Sequence, residues 1–330
     1  MNVDHSPSYR LEDYGITADG EKVRRFRLCH GPLEVTVLEY GAIIESIIFH
    51  RDDGTSQSLC RTLSCLAAYE SDGSYVGASI GPVANRMSNA SYRIDDQDIK
   101  VAANEGSHQL HGGPNGLHQR VWQGEAVVDV RGPSVQLECT HEHGTDGYVG
   151  NLLVRARFTI SACGELFIEY TGLCDQPRPV SLTSHPYFGF ENERATHLLA
   201  VDSVQQLAVD EERLPTGRIL DVSETSADFT QPRPAQSEPL DNSYVFNADG
   251  NVRPRARLSS DSMTLEVHSD QPVLQVYVSH DAATDETWVC LEPHGYVDAT
   301  RHPEFESIVL YPNQLYRHCT RMCWRLNDSI

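Results

Sequence analysis

Apolar and polar residues alternate over much of this chain, and the alternation predicts β-strands. Apolar residues fill every second position of 154–160, a turn follows at Cys163-Gly164, and a second strand-like run covers 166–170. Such alternation places the apolar side chains of a strand on one face. Two runs joined by a short turn therefore predict a hairpin with one buried face.

Two further pairs of segments have the same organisation. Residues 127–130 and 135–139 flank a turn at 131–134, and residues 92–94 and 99–101 flank an Asp-rich turn. Turns of Gly, Pro, Asp and Ser between alternating runs are typical of antiparallel hairpins. Antiparallel pairing is therefore the economical interpretation.

Helical periodicity is scarce along the chain. Its best candidate is the short stretch 64–70, closed by Asp72-Gly73, and residues 225–238, with Pro232 and Pro234, predict a surface loop. Many short strands without βαβ units indicate an all-β protein. We predict a large antiparallel β-sandwich, in which alternate residues face the core and the others face solvent or a ligand.

The composition predicts a globular protein without a membrane span. The 330 residues are 39% hydrophobic and 22% charged, and no apolar run approaches the roughly 18 residues of a spanning helix. Residues 1–6 have neither the basic start nor the apolar run of a secretory signal. Nine cysteines without a paired framework are typical of a reducing compartment. We therefore expect a cytoplasmic protein.

Charge narrows the possible partners. The formal charge of −21 repels polyphosphate backbones, so nucleic acid is a poor candidate partner. The same argument mildly disfavours phosphorylated substrates. A neutral small molecule fits better.

Two segments place polar side chains beside turns of small residues. Residues 77–87 are mostly small and contain Asn85-Arg86, so a ligand could approach the backbone closely. His111 directly precedes a Gly-Gly-Pro turn, which presents an imidazole at the end of a strand. Each segment alone also fits a structural role.

A polar stripe follows in residues 181–188. In a strand, Ser181, Thr183, His185 and Tyr187 would share one face, where a structural strand usually shows aliphatic residues. The stripe predicts a binding face, although an exposed polar face with a hydrogen-bonded histidine would give the same pattern.

A carboxylate ends the apolar run 288–291. Glu292 is in phase with Trp288 and Cys290. An unpaired buried charge is costly, so Glu292 must be paired, protonated or functional. Asp241 and Gln275 complete the set of candidate polar residues, although each alone is more often structural.

Taken together, in this order, the segments resemble the galactose mutarotase (aldose 1-epimerase) family. The six matching motifs are Asn85-Arg86, Leu110-His111-Gly112-Gly113, residues 182–188, Leu240-Asp241, residues 274–277 and Cys290-Leu291-Glu292-Pro293. One motif would carry little weight, whereas six in the right order are not expected by chance. The resemblance extends from about Gly41 to Trp324, so we predict a single domain over 1–330.

The resemblance implies a galactose mutarotase-like supersandwich with an open cleft on one sheet. It implies an isomerase that interconverts the α and β anomers of a free, galactose- or glucose-like aldohexose. Its catalytic residues would be Glu292 as general base, His185 as general acid, and His111, which would orient the sugar and help to polarise the ring oxygen. The substrate-binding residues would be Asn85, Arg86, Asp241, Gln275 and Tyr187. No metal or organic cofactor is expected, and the sequence gives no signal about oligomeric state.

The residue chemistry supports these roles independently. Mutarotation removes a proton from the anomeric hydroxyl and delivers one to the ring oxygen, so one base and one acid suffice. A carboxylate and an imidazole can both be tuned toward neutral pH.

Three positions depart from the family pattern. Pro82 replaces the first Arg of G-R-x-A-N-R, Asn242 stands where His commonly follows the Asp, and Val149 replaces a turn Pro. The departures put in doubt any role of the missing arginine and leave the preferred sugar open.

Three other functions compete with this interpretation. A glycoside hydrolase would need two carboxylates about 5–9.5 Å apart, for which Asp241 and Glu292 are the only attractive pair. A non-catalytic sugar-binding or sensor protein would have no reason to keep both His185 and Glu292. A metal-dependent sugar isomerase could use His111, His185 and Glu292 as ligands.

Overall fold

The computed structural model describes residues 6–95, 97–190, 197–237, 240–247, 249–281 and 286–327. Within these ranges the chain has 28 strands and one α-helix, α1 (Leu66–Glu70), so the predicted all-β class is confirmed. No helix in the described part of the chain is long and apolar enough to cross a membrane. Two sequence predictions fall partly outside the described residues. These parts are residues 1–5 of the N-terminal segment and Glu238 of the predicted loop.

The strands are numbered along the chain. They are β1 (Ser8–Ile16), β2 (Lys22–His30), β3 (Leu33–Leu38), β4 (Ile44–His50), β5 (Ser56–Ser58), β6 (Ser79–Ile80), β7 (Arg86–Met87), β8 (Ser91–Ile94), β9 (Gln97–Lys100), β10 (Gln109–Leu110), β11 (Gln123–Val128), β12 (Pro133–His141), β13 (Leu152–Ile160), β14 (Glu165–Cys174), β15 (Arg178–Pro179), β16 (Thr183–Ser184), β17 (Tyr187–Phe188), β18 (Leu198–Val201), β19 (Gln205–Val209), β20 (Pro215–Asp221), β21 (Arg233–Pro234), β22 (Asp241–Val245), β23 (Arg253–Ser259), β24 (Met263–Ser269), β25 (Val273–Asp281), β26 (Glu286–His294), β27 (Val309–Leu310) and β28 (Tyr316–Leu326). Short 3₁₀ helices cover Ser88–Ala90, Leu117–Gln119, Thr145–Gly147, Ala235–Ser237 and Ala299–Arg301.

Three large antiparallel sheets carry the fold. A five-stranded sheet has the order β1-β2-β3-β4-β5, a nine-stranded sheet has the order β11-β12-β13-β14-β28-β24-β23-β18-β21, and a six-stranded sheet has the order β17-β26-β25-β22-β19-β20. Four two-stranded pairs, β7-β10, β15-β27, β6-β16 and β8-β9, complete the described pairing.

The three predicted hairpins are present as β13-β14, β11-β12 and β8-β9. In the first, Phe158 lies opposite Ile168 and both are fully buried, as the alternation requires. The predicted helix ends at Glu70 as expected but begins two residues late, at Leu66, because Cys65 has an extended backbone (φ −165°, ψ 170°).

Two local predictions need correction. The polar segment 181–188 is not one strand, because β16 pairs with β6 whereas β17 pairs with β26. Between them lies Pro186, which has no N–H to donate to a ladder. The predicted loop 225–238 contains β21 and buries Phe229 completely, so its described part is attached to the core and does not only cover the surface.

One apolar cluster joins the three large sheets. It includes Phe26 of β2, Phe158 of β13 and Leu291 of β26. Because successive strand residues point to opposite faces, the burial of Leu291 in this cluster turns Cys290 and Glu292 to the other side of the six-stranded sheet. The core therefore determines which face of that sheet carries the candidate site.

Candidate active site

Strand register brings four of the eight predicted site residues, Asp241, Gln275, Glu292 and Tyr187, onto that second face of the six-stranded sheet. One cross-strand row contains Ser243 of β22, Gln275 of β25 and Glu292 of β26. The neighbouring row contains Asp241, Tyr277, Cys290 and Tyr187. We call these two rows the site face. Residues far apart in sequence become neighbours there because antiparallel partners share a face.

Gln275 connects the site face to Asn85. Its side-chain Nε2 donates to Asp241 Oδ1 at 2.6 Å, and its Oε1 accepts from Asn85 Nδ2 at 3.1 Å. The hydroxyl of Ser243 also donates to this Oε1. These bonds fix the amide of Gln275 and orient the carboxylate of Asp241.

His185 and Glu292 form the buried centre of the site. His185 Nε2 lies 3.4 Å from Glu292 Oε1, and the two residues are 4% and 2% exposed. Neither Glu292 Oε2 nor His185 Nδ1 has a hydrogen-bond partner among the described residues. A carboxylate oxygen with a free lone pair next to an imidazole is suited to proton transfer with a small molecule.

Burial changes the charge state of this pair. It raises the pKa of Glu292 well above its usual value, with the Asp241 carboxylate acting in the same direction. It lowers the pKa of His185 to about 4. Both effects favour an uncharged pair, a protonated carboxyl beside a neutral imidazole, which shares one proton between the two side chains.

His111 presents its Nε2 as a hydrogen-bond donor. The backbone N–H of Asn85 donates to His111 Nδ1 at 3.2 Å, so the proton of the neutral ring lies on Nε2. Burial, and next the neighbouring His185, lower the pKa of His111 well below its usual value, which keeps the ring neutral. The turn that follows needs Gly112, whose φ is 86° and where a Cβ would meet the carbonyl oxygen of Gly81.

Arg86 and Asp241 belong to one ionic group. Arg86 donates to both carboxylate oxygens of Glu105, at 2.8 and 2.9 Å, and its Nη1 lies 3.7 Å from Asp241 Oδ2. Arg213 Nη1 lies 3.7 Å from the same Asp241 oxygen. Two cations and two carboxylates therefore balance, and this group carries no surplus charge.

Aromatic rings enclose the two histidines. Tyr187 stacks on His185 with ring centroids 5.1 Å apart, while its hydroxyl donates to the carbonyl of Ser74 at 2.8 Å. Its ring, more than its hydroxyl, is thus the part that reaches the site. Tyr75 packs against His111 at 4.7 Å and lies 6.2 Å from His185.

The same side chains are a poor fit to a metal ion. His111, His185 and Glu292 offer ligand atoms within 4.8 Å of one another, but a histidine binds a metal only through a ring nitrogen with a free lone pair. In His111, Nδ1 is occupied by the Asn85 N–H and Nε2 carries the proton. Among the described residues, His185 Nδ1 has no hydrogen-bond partner of the kind that orients metal-bound histidines.

The three departures from the family pattern lie outside the site face. Val149 donates its backbone N–H to the Tyr92 hydroxyl at 3.1 Å, which a proline could not do. Asn242 donates to Gln206 at 3.0 Å. Pro82 accepts the backbone N–H of Ser181 through its carbonyl at 2.9 Å.

The structure adds residues that the sequence did not indicate. Ser243 could have been found, because it alternates with Asp241 in a strand. Glu105 and Arg213 gave no signal, since a charged residue in a turn is usually only solvated. Tyr75 gave none either, and its positive φ of 58° is visible only in the structure.

Comparison with known proteins gives one consistent family. The family model described as aldose 1-epimerase matches residues 24–323. The chain is 26% identical to aldose 1-epimerase of Escherichia coli, over 94% of this chain and 97% of that protein. It is 27% identical to galactose mutarotase of Bos taurus, over 90% and 93% of the two chains.

Solved structures share the fold. A galactose 1-epimerase from Lactobacillus acidophilus superposes with a TM-score of 0.86 at 20% identity, covering 98% of this chain and 100% of the other. A GalM/aldose epimerase homologue from C. elegans gives 0.81 at 24% identity, with 97% and 100% coverage. The galactose mutarotase-like architecture predicted from the motifs is therefore confirmed.

Proposed function

The chain belongs to the aldose 1-epimerase family, and on that premise we propose that its buried His185–Glu292 pair interconverts the α and β anomers of a free aldohexose. Membership makes the protein an isomerase. The observation that supports the chemistry best is the pair itself, whose Nε2 and Oε1 atoms are 3.4 Å apart. The other carboxyl oxygen, Glu292 Oε2, has no hydrogen-bond partner among the described residues.

Ring opening would use each member of the pair once. Glu292 removes the proton of the anomeric hydroxyl while His185 delivers a proton to the ring oxygen. The C1–O5 bond breaks, the hydroxyl oxygen becomes the aldehyde oxygen, and rotation about C1–C2 exposes the other face. Closure reverses both proton transfers and leaves the enzyme as it began.

The reactive charge state differs from the one that burial favours. Catalysis starts from an ionised Glu292 and a protonated His185, whereas burial favours the neutral pair. Both states hold the same single proton, so the proton only has to cross within the pair. Sugar hydroxyls that enter the site supply the hydrogen bonds that a buried ion pair needs.

The surrounding residues would hold the sugar. His111 donates through Nε2 to the ring oxygen or a neighbouring hydroxyl. Arg86 and Asp241 offer donors and acceptors to hydroxyls, Asn85 and Gln275 keep Asp241 in place, and the ring of Tyr187 fixes the imidazole of His185.

The other candidate functions are less well supported. For a glycoside hydrolase, Asp241 would have to be the second reacting carboxylate, but it accepts a hydrogen bond from Gln275 and is flanked by Arg86 and Arg213. A sensor would not need the proton-transfer pair. A metal-dependent isomerase would need a lone pair on His111 Nε2 that the hydrogen bond from Asn85 denies it.

A cytoplasmic location and a single domain over 1–330 are part of the proposal. All nine cysteines are free, which fits a reducing compartment. The family match covers 24–323, which fits one domain.

Polarimetry of freshly dissolved α-glucose and α-galactose tests the proposal. We expect faster equilibration at neutral pH with the protein than without it, unchanged by EDTA. Equal equilibration rates with and without the protein, for every sugar of a broad aldose panel, would contradict catalysis. Loss of activity in EDTA and recovery with a divalent ion would favour a metal-dependent mechanism.

A further inference from the structure

The exposure of side chains shows where the site opens to solvent. The side chains of Glu292, Asp241 and Arg213 are 2%, 24% and 47% exposed. Exposure thus rises from the reactive pair through Asp241 to Arg213. Arg213 lies at the outer end of this series.

Residues 210–214, which we call the mouth turn, carry Arg213. The Asp210 carboxylate accepts the backbone N–H groups of Glu212 at 2.9 Å and Leu214 at 3.0 Å, and the Asp210 N–H donates to the Leu214 carbonyl at 2.9 Å. Arg213 has a φ of 63° within this turn. The bonds give the turn one defined shape.

Two consecutive side chains of the mouth turn reach opposite sides of the site. Arg213 Nη1 lies 3.7 Å from Asp241 Oδ2 and 3.5 Å from the Asp241 carbonyl oxygen. Glu212 Oε1 lies 3.7 Å from His108 Nε2, and His108 stands three residues before His111. The mouth turn therefore spans from the six-stranded sheet to the segment that carries His111.

His108, at one end of this span, is buried and hydrogen-bonded. It is 7% exposed, and its Nδ1 accepts the backbone N–H of Asn89 at 3.0 Å, so its Nε2 carries the proton and faces the 68% exposed Glu212 carboxylate at 3.7 Å. Glu212 thus faces the segment of His111, while Arg213 contacts Asp241 on the six-stranded sheet.

We propose that Arg213 is a specificity-determining residue that binds a sugar hydroxyl remote from the anomeric carbon. The inference rests on the proposed function. β22 lies two strands from β26, roughly 10 Å at the usual spacing, so a hexose with its anomeric carbon at Glu292 directs its far hydroxyls toward Asp241. Nε and Nη2 of Arg213 make no hydrogen bond to described residues and are available to those hydroxyls.

The charge balance identifies the ligand chemistry. Arg86 and Arg213 are matched by Glu105 and Asp241, and Glu212 adds a further negative charge at the mouth. A phosphate would meet no surplus cation there. A neutral hydroxyl can both accept from the guanidinium and donate to the carboxylate.

Arg213→Asn is the decisive variant, because asparagine tolerates a positive φ and leaves the turn intact while removing the guanidinium. Polarimetry would give kcat and KM for glucose, galactose and their 3-, 4- and 6-deoxy analogues. We expect KM for the parent hexoses to rise about 5- to 20-fold with kcat within about twofold. For at least one deoxy analogue, Arg213→Asn should leave KM unchanged, because that analogue lacks the hydroxyl that Arg213 binds. Arg213→Lys should be intermediate.

The matched control is Arg218→Asn, which changes an exposed arginine of the adjoining strand β20. It should behave as the unaltered protein. An Arg213→Asn effect that is equal for every sugar, or no larger than that of Arg218→Asn, would overturn the proposal while leaving the isomerase assignment in place. An unaltered protein that accelerates no sugar would instead overturn the proposed function.

Discussion

Two sheets of this protein carry charged side chains on one face, and they use the charges differently. On the nine-stranded sheet, Arg155 and Glu138 form a pair at 2.6 Å with side chains 46% and 42% exposed. On the six-stranded sheet, Glu292 lies 3.4 Å from His185, which precedes β17, and the two side chains are 2% and 6% exposed. The first pair keeps its hydration, whereas the second has lost it.

The difference separates stability from chemistry. Exposed pairs contribute about 0–1 kcal/mol and need no further partner. A buried carboxyl with an unbonded oxygen opposes folding, because its desolvation is not offset by hydrogen bonds. The exposed pair on the nine-stranded sheet therefore changes the folding free energy little, whereas the buried Glu292 on the six-stranded sheet makes folding less favourable. A role in binding and converting a ligand explains why such a carboxyl is present.

Glu292→Gln should produce the largest effect. Glutamine keeps the shape and hydrogen-bonding ability but cannot accept the proton, so kcat should fall about 10²- to 10⁴-fold. Sugar affinity should largely survive, and the melting temperature should stay equal or rise because a desolvated acid is removed. Polarimetry, sugar binding and thermal unfolding on one preparation measure all three.

The matched control is Glu138→Gln, the same substitution on the outer face of the nine-stranded sheet. It should leave kcat unchanged. If Glu292→Gln were stable, bound sugar and kept near-normal kcat, Glu292 would have no part in the mechanism. A lowered melting temperature with activity proportional to the folded fraction would make Glu292 structural.

Phe158→Ala tests the nine-stranded side of the comparison. Phe158 is fully buried in the core that joins the three sheets, so its loss should reduce the free energy of unfolding by about 3–5 kcal/mol. Denaturant titration measures that loss, while kcat per folded molecule should stay normal. A large fall in kcat of fully folded Phe158→Ala would show that core packing and catalysis are coupled.

His185→Asn should change how stability depends on pH. The pKa of His185 is about 4 in the folded protein and about 6.5 when unfolded, so the unfolded state binds the proton first. The unaltered protein should lose roughly 3 kcal/mol as pH falls from 6.5 to 4. The variant should lack that contribution, as melting curves across the interval would show. Identical pH profiles would mean that His185 is not desolvated as the structure indicates.

Alternation predicted the sheets well because it is a local property of the chain. The hairpin 154–170 followed from its own residues, and so did the strand that carries Glu292. The segment 181–188 failed for a non-local reason, since the neighbouring strands β6 and β26 each take a different half of it. No periodicity within eight residues contains that information.

The candidate site divides in the same way. The family motifs indicated Glu292, His185, Asp241 and Gln275, and the strand register then placed Ser243 beside Gln275. Tyr75 and Arg213 could not be predicted from the sequence, because their position in the site depends on what a turn faces in three dimensions. The hydrogen bond from the Asn85 backbone N–H to His111, which decides the tautomer of His111, could not be predicted from the sequence either.

Asp241→Asn should weaken sugar binding more than chemistry. The amide keeps the size but loses the charge that faces Arg86 and Arg213, so KM should rise about tenfold, with a smaller loss of kcat from poorer positioning. Steady-state kinetics on glucose and galactose distinguish the two parameters. A loss confined to kcat would instead place Asp241 among the proton-transfer groups and revive the two-carboxylate mechanism.

Arg155→Ala should give the smallest effect and thereby complete the comparison. The side chain is 46% exposed and its pair with Glu138 stays hydrated, so removal should cost no more than about 1 kcal/mol of unfolding free energy. Because salt screens exposed charges over about 10 Å at 0.1 M, the cost should shrink further in 1 M NaCl. Denaturant titration at low and high salt, with kcat measured alongside, checks both statements. A loss above about 2 kcal/mol would show that the outer face supports the fold through its charges, and the contrast with Glu292 would then no longer separate stabilising from reactive charge.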